Sequence, residues 1–216
     1  MYEQISTTKD TLKEKYIRGA ELVGKYGFPQ LNPVQANVEE LKPVPFHEAK
    51  KEKNPRQAVV HHFINDNHFQ RLWNDADKHI DYLKNFKYVL GLDFSIYSDM
   101  PLALQIYNVY RNRALEFYLT AWGVHIIPAV SWSDESSFDW CFDGLPKRSC
   151  LATSTNGCHF PAGREAFRAG VHEMVERLEP TRLIIVGKPI DIDVNIDIQY
   201  LKSYGQQMTE RLKGAV

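Results

Sequence analysis

From Gln57 onward the sequence alternates short apolar runs with longer amphipathic segments, and that alternation admits few folds. Ala58–Ile64 (AVVHHFI), Tyr88–Phe94 (YVLGLDF), Val124–Val130 (VHIIPAV), Cys150–Ser154 and Arg182–Val186 (RLIIV) read as strands, being short and apolar. His68–Asn85, Leu102–Trp122 and Gly163–Leu178 have helical length and spacing, and a short turn or helix is expected near Phe138–Phe142. Pro101 suits the first turn of the long helix, and Gly123 stops it. Strands alternating with helices imply parallel βα units, and nearly unbroken apolar strands imply a sheet covered on both faces. The expected fold is α/β: a mostly parallel sheet of about five βα units with helices on both faces. Five units are too few for an eight-stranded barrel, which leaves an open sheet or a partial barrel.

The flanks read differently. Thr11–Tyr26 has the spacing of a short helix, but the prolines at 29, 33, 43 and 45 cannot sustain a helix or a central strand. His47–Arg56 is basic and solvated, so residues 1–56 are expected to form an arm on an α/β core of residues 57–190. Ile190–Ile198 (IDIDVNIDI) alternates apolar and acidic residues like an edge or hairpin strand. Its resemblance to a calcium loop fails, because the sixth position is Ile196 and the twelfth Lys202. Tyr200–Leu212 reads as a closing helix, so 191–216 is expected to pack on the core as strand and helix.

Composition narrows the function. The 216 residues carry 26 basic and 27 acidic side chains, a formal charge of −1, which removes the footprint of a non-specific nucleic-acid binder. No run approaches the roughly 18 apolar residues of a membrane helix, and MYEQISTTKD lacks an apolar leader, so no membrane association and a cytoplasmic address are expected. Cys141, Cys150 and Cys158 are odd in number and lack C-x-x-C spacing, so they read as reduced thiols rather than zinc ligands.

In open sheets and barrels alike, ligands bind where parallel strands deliver their carboxyl ends. The ends here are Asn65-Asp66-Asn67; Asp93 and Ser95, with Tyr97, Ser98 and Asp99; Ser131 and Trp132; Ser154, Thr155, Asn156 and Gly157; and Gly187 and Lys188. Asp93 is the sharpest position, since an ionised carboxylate within an apolar run is costly unless paired, hydrogen-bonded or metal-bound. It reads as a general acid/base or a ligand of a hard cation such as Mg²⁺ or Mn²⁺, against the plainer reading of a cap on loop amides. Residues 131–144 (SWSDESSFDWCFDG) set Trp132 and Trp140 among carboxylates including Asp139, which suits a stacked sugar or nucleobase or, equally, an aromatic roof on the sheet. Residues 88–145 hold seven acids, two arginines and no lysine, a net −5 that repels bare phosphate. Arg111 and Arg113 read as surface or interface ion pairs. His61 and His62, adjacent within a strand, must face opposite ways. Nucleophile-elbow, Walker and dinucleotide-binding glycine motifs are absent from the sequence.

The blocks LGLDFSIYSDMPLALQIYNVYRNRALEFY (90–118), IPAVSW (127–132), SFDWCFDGLP (137–146) and LATSTNG (151–157) resemble the bacterial, phage and mobile-element family known as domain of unknown function 4417. The resemblance covers roughly residues 57–190 and implies a cytosolic protein of a bacterium or its phage. It carries over no catalytic role, but its blocks coincide with the strand ends above.

Two readings follow. One is a hydrolase or transferase on a nucleotide- or sugar-like ligand. Asp93 and Asp139 would be its carboxylates, with Ser95, Tyr97, Asp99, Ser131, Ser154, Thr155 and Asn156 as binding groups and Trp132 or Trp140 as a stacking platform. The other is a non-catalytic protein that sequesters a small polar ligand or binds a host protein.

Overall fold

The computed structural model describes residues 13–214. The expected Thr11–Tyr26 helix is replaced, over its described part, by a 3₁₀ turn at Glu14–Ile17. A small antiparallel hairpin follows, β1 (Leu22–Val23) with β2 (Phe28–Pro29). Gly19 and Gly24 adopt φ of +80° and +71°, a left-handed geometry that no right-handed helix can pass through. Thr11 and Leu12 lie outside the described residues.

Four parallel strands follow in spatial order: β3 (Lys42–Pro45), β4 (Ala58–His61), β5 (Tyr88–Leu90) and β6 (Ile126–Ile127). Three more form a second parallel sheet: β7 (Cys150–Ser154), β8 (Arg182–Val186) and β9 (Asp197–Leu201). One parallel bridge, Ala129 to Ala152, links the two sheets, with the Val130 amide donating to the Ala152 carbonyl at 2.8 Å. The protein is therefore α/β with strands in chain order, and the described residues form no closed barrel. β7 and β8 have the bounds expected from their apolar runs. β3 had no counterpart in that reading; its prolines are tolerated because it is an edge strand. Ile190–Ile198 is not one strand: its first part is irregular, and Ile190, Ile192 and Val194 turn towards the core instead.

The helices are α1 (Gln70–Asn74), α2 (Asp77–Leu83), α3 (Leu102–Ala121), α4 (Phe138–Cys141), α5 (Pro161–Leu178) and α6 (Tyr204–Lys213). The expectation of helices on both faces is corrected. Val60, Val89 and Ile126 pack against α1, α2 and α3, and Leu151, Leu183 and Ile185 against α4 and α5. The opposite face buries Val59, Leu90, Ile127, Ala152, Ile184, Val186 and Leu201 in one cluster containing no helical residue. Both sheets contribute to it, together with Ala36 and Val38. Residues 34–38 form a strap across the second sheet. The Val34 carbonyl accepts from the Cys150 amide at 2.8 Å, the Ala36 carbonyl from the Arg182 guanidinium, and the Val38 amide donates to Gln199 at 3.0 Å. A face that two sheets and a strap cover together needs no helix.

Helix α3 buries polar side chains beside the apolar Val109, Ala114, Leu115 and Leu119: Gln105, Asn108, Asn112, Arg113 and Glu116 are all buried. Arg113 is thus not a surface residue. Its guanidinium donates to the carbonyls of Ala129 (2.9 Å), Cys141 (3.0 Å) and Asp143 (3.2 Å). Glu116 Oε1 accepts the amides of Leu92 (2.9 Å) and Ala129 (3.1 Å), standing where the β5–β6 ladder would otherwise continue. Gly91 makes this possible, since a Cβ there would lie 1.9 Å from Glu116 Oε1 and 2.5 Å from the Ala129 nitrogen. Gly91→Ala should therefore destabilise the protein by about 3 kcal/mol, as expected for overpacking against backbone, read from the denaturant midpoint at an unchanged slope.

Candidate functional site

The carboxyl ends of β4, β5, β6 and β7 gather side chains that are far apart in sequence. Asp66, just past β4, accepts from Ser95 twice, from its amide at 3.1 Å and its hydroxyl at 2.9 Å. The Tyr97 hydroxyl donates to Ser95 Oγ at 3.3 Å. Asn108 of α3 donates to the Ser95 carbonyl at 2.6 Å, and the Phe94 amide donates to Asn112 Oδ1 at 2.9 Å. Asp93 is therefore set between two amides, of Leu92 and Phe94, that are both fixed by side chains of one helix.

The environment of Asp93 is chemically specific. Burial pushes its carboxyl up from the ordinary 3.8 to about 7, and the neighbouring Asp66 charge pushes the same way. A hydrogen bond from Ser131, past β6, acts in the opposite direction. Asp93 nevertheless keeps partial exposure to solvent, as a group that meets a ligand must. Beyond β7, Asn156 reaches across to donate to the Phe63 carbonyl at 3.1 Å, tying the second sheet to the end of β4. Cys158 lies close enough for the Asp93 charge to raise its thiol, in addition to burial, so it is a poor thiolate.

The other expected residues are placed as follows. Ser154 donates to the Val186 carbonyl at 2.9 Å, and Thr155, fully buried, to the Lys188 carbonyl at 2.8 Å. Both fasten β7 to β8. Asp99 is exposed, and so is Asp139 on α4; the groups acting on Asp93 are Asp66 and Ser131. Trp132 donates from Nε1 to the Ala166 carbonyl at 3.1 Å and lies 5.7 Å from the Phe167 ring, against Gly170, where no Cβ would fit. Trp140 is buried, edge-on to Tyr26. These two rings roof the sheet and bind α5 and the hairpin to it. Among the described residues no three His, Cys, Asp or Glu side chains are grouped so as to hold a metal ion.

Two residues of the mouth were not among the expected site residues, Asp66 having no assigned role and Arg111 being read as a surface or interface ion pair. Asp66 stood at a strand end but outside any apolar run, so nothing marked it as costly. Arg111 lies with its guanidinium carbon 3.6 Å from the Phe94 ring centroid, bonded to Gln70 and Asn108 and within the field of Asp66. The signal for Arg111 was the spacing of polar residues along α3, which marks a helix face turned towards strand ends.

The shift on Asp93 has a sign that can be tested. Its folded-state pKa is raised, so the native state holds this proton more tightly than the unfolded chain between pH 4 and 7. Its contribution is full below pH 4 and is lost as pH rises through 7. Asp93→Asn removes that loss. Relative to wild type, the variant should gain stability steadily from pH 4 to pH 8, measured by denaturant unfolding at each pH.

None of the helices formed by the described residues is long and apolar enough to cross a membrane. No solved structure matches the chain. The Gene 1 protein of Mycobacterium phage L5 is 32% identical over 157 residues, which cover 72% of this chain and 68% of that protein. The Gene 1 protein of Mycobacterium phage D29 is 30% identical over 157 residues, 72% of this chain and 58% of that protein. The family model described as "Domain of unknown function (DUF4417)" matches residues 20–204, and the chain belongs to that family.

Proposed function

We propose that the mouth at the carboxyl ends of β4–β7 binds a nucleotide- or sugar-like ligand, and that Asp93 is its general acid/base in a hydrolase or transferase reaction. The observation that carries this is one carboxyl whose pKa is raised to about 7 beside a second carboxyl group and a serine hydroxyl. A group with a pKa near the ambient pH donates or accepts a proton with little cost in either direction. Its partner Asp66 is held in place by two donors from Ser95. In this reading Ser131, Tyr97 and Asn156 orient hydroxyl or amide groups of the ligand. The net −5 of residues 88–145 favours the uncharged part of such a ligand over a bare phosphate. In this reading the activity resides in the α/β core of residues 57–190, flanked by 1–56 and 191–216, and operates in the cytoplasm of a bacterial host.

A second reading, binding of a host protein, is favoured by one observation. Tyr97, Leu102, Leu104 and Tyr107 are 61%, 52%, 50% and 44% exposed along the loop after β5 and the start of α3. The two readings part on Asp93.

The test incubates purified protein with panels of nucleosides, nucleotide sugars and glycosides and follows products by mass spectrometry. Asp93→Asn should lower turnover at least about 100-fold, the usual weight of a general acid/base, while its melting temperature at pH 7 stays at or above wild type. Turnover unchanged in the variant would overturn the role of Asp93. Wild-type protein inert on every panel but pulling down one host protein, with loss on Leu104→Glu, would favour the second reading.

A further inference from the structure

We infer that α6 is a hinged lid at the rim of the mouth, docked onto the body through two neighbouring residues, His47 and Glu48, and able to swing away while both sheets stay folded. Its placement follows from the topology. All strands of the two sheets are parallel, and the parallel Ala129–Ala152 bridge makes both sheets point the same way. β3 and β9 are their outer edges. α6 begins just after β9 ends, and its last turn reaches Glu48, just past the end of β3. At a rise of 1.5 Å per residue it spans roughly 15 Å from one edge to the other, on the side where the strands deliver their carboxyl ends.

The helix organises itself but has little grip on the body. None of its residues is buried, and none belongs to a buried apolar cluster. Ser203 and Gln206 form a reciprocal capping box, which satisfies the first turn from within. A helix of ten residues is marginal in water by itself, so its docking contacts decide where it lies. Among the described residues, two polar or ring contacts reach beyond residues 202–213. The Tyr204 and His47 rings meet edge-on, 4.8 Å apart at 89°. Arg211 donates to Glu48 Oε1 at 3.2 Å and to Oε2 at 3.0 Å.

The docked state is balanced rather than locked. A forked arginine–carboxylate pair at the surface holds the helix only modestly. Against it, His47 Nδ1 is buried without a hydrogen-bond partner, a cost that opening to water relieves. His47 also stacks on His68, 4.6 Å away at 27°, and His68 ends the Asp66–His68 turn. The residue that holds the lid therefore leans on the turn that carries Asp66, so lid and mouth share a wall.

That arrangement gives the lid a pH dependence. His47 is faced by Glu48 and Lys51 of its own turn, His61 of β4, His68, Arg71 of α1 and Tyr204 of α6. Burial, then His68 with Arg71 and Lys51, outweighs the pull of Glu48 and holds the His47 pKa below its ordinary 6.5. Closure is therefore full above pH 6.5 and weakens as pH falls below it. Glu48 stays ionised over that range, because Arg211 holds its carboxyl below the ordinary 4.5.

Hydrogen–deuterium exchange of the full-length chain, read by mass spectrometry and corrected for intrinsic rates, tests the lid. At pH 7.5 the α6 amides should exchange at least about 100-fold faster than those of β7 and β8, since local opening costs less than global unfolding. Glu48→Gln and Arg211→Gln should each speed α6 about threefold more, the weight of a surface ion pair, with β7 and β8 unchanged. Lowering the pH to 5.5 should speed α6 again in wild type but not in His47→Phe, which keeps a ring and takes no proton. An α6 as slow as β7 and β8, one unchanged in both ion-pair variants, or one that speeds up only together with the sheets would overturn the lid. Equal α6 rates at the two pH values in wild type, or an equal rise in His47→Phe, would overturn the part played by His47.

Discussion

The buried ion pair on α3 determines how the rest of the structure can be arranged. Arg113 is 2% exposed and Glu116 fully buried, and between them they engage three carbonyls and two amides of the loops that follow β5 and β6. Burial lifts the Glu116 carboxyl to about 7, against the pull of Arg113 and the two amides. Removing one member of such a pair typically costs about 3–5 kcal/mol, because the other is left charged and dry. An apolar helix packed on the same strands would bury as much surface without holding any loop. The polar face of α3 fixes backbone atoms at Leu92, Phe94, Ser95 and Ala129, and so aims Asp93 and Ser131 at the same space.

That substitution also explains where the chain could be read and where it could not. β7 and β8 match their apolar runs because nothing interrupts their ladders, which run in register over five residues each. β5 and β6 stop short of theirs because Glu116 takes over the pairing beyond Leu90 and Ile127. The residues after those points remain apolar and buried, so hydropathy alone sees one continuous strand. Arg113 was read as a surface residue because charge defaults to solvent. The polar residues at 105, 108, 112 and 116 nevertheless share a helical face, a pattern that marks a buried polar stripe when the opposite face carries exposed Leu104 and Tyr107. The amino-terminal helix failed for another reason: its apolar residues have helical spacing, but Gly19 and Gly24 within it take left-handed geometry.

The candidate site was legible in part. Asp93 was marked by cost, since a carboxylate among Val89, Leu90, Leu92 and Phe94 has no cheap place to go, and the structure gives it a raised pKa and a serine donor. Trp132 and Trp140 were marked by composition, which does not distinguish a stacking platform from a roof; their contacts with Ala166, Phe167 and Tyr26 belong to the roof. Asp66 was marked by neither signal. Its importance comes only from the strand order, which sets β4 beside β5 and so brings two carboxylates 27 positions apart into one field.

Helix α3 joins the mouth to the buried ion pair. Its first half supplies Asn108, Arg111 and Asn112 to the mouth. Glu116, one turn beyond Asn112, is bonded to the amide that precedes Asp93. The Asp93 charge is one of the forces raising the Glu116 carboxyl. Repulsion between two carboxylates is mutual, so whatever stabilises the ionised form of one raises the cost of ionising the other. The same buried carboxylate that ends the β5–β6 ladder thus shares one electrostatic field with Asp93.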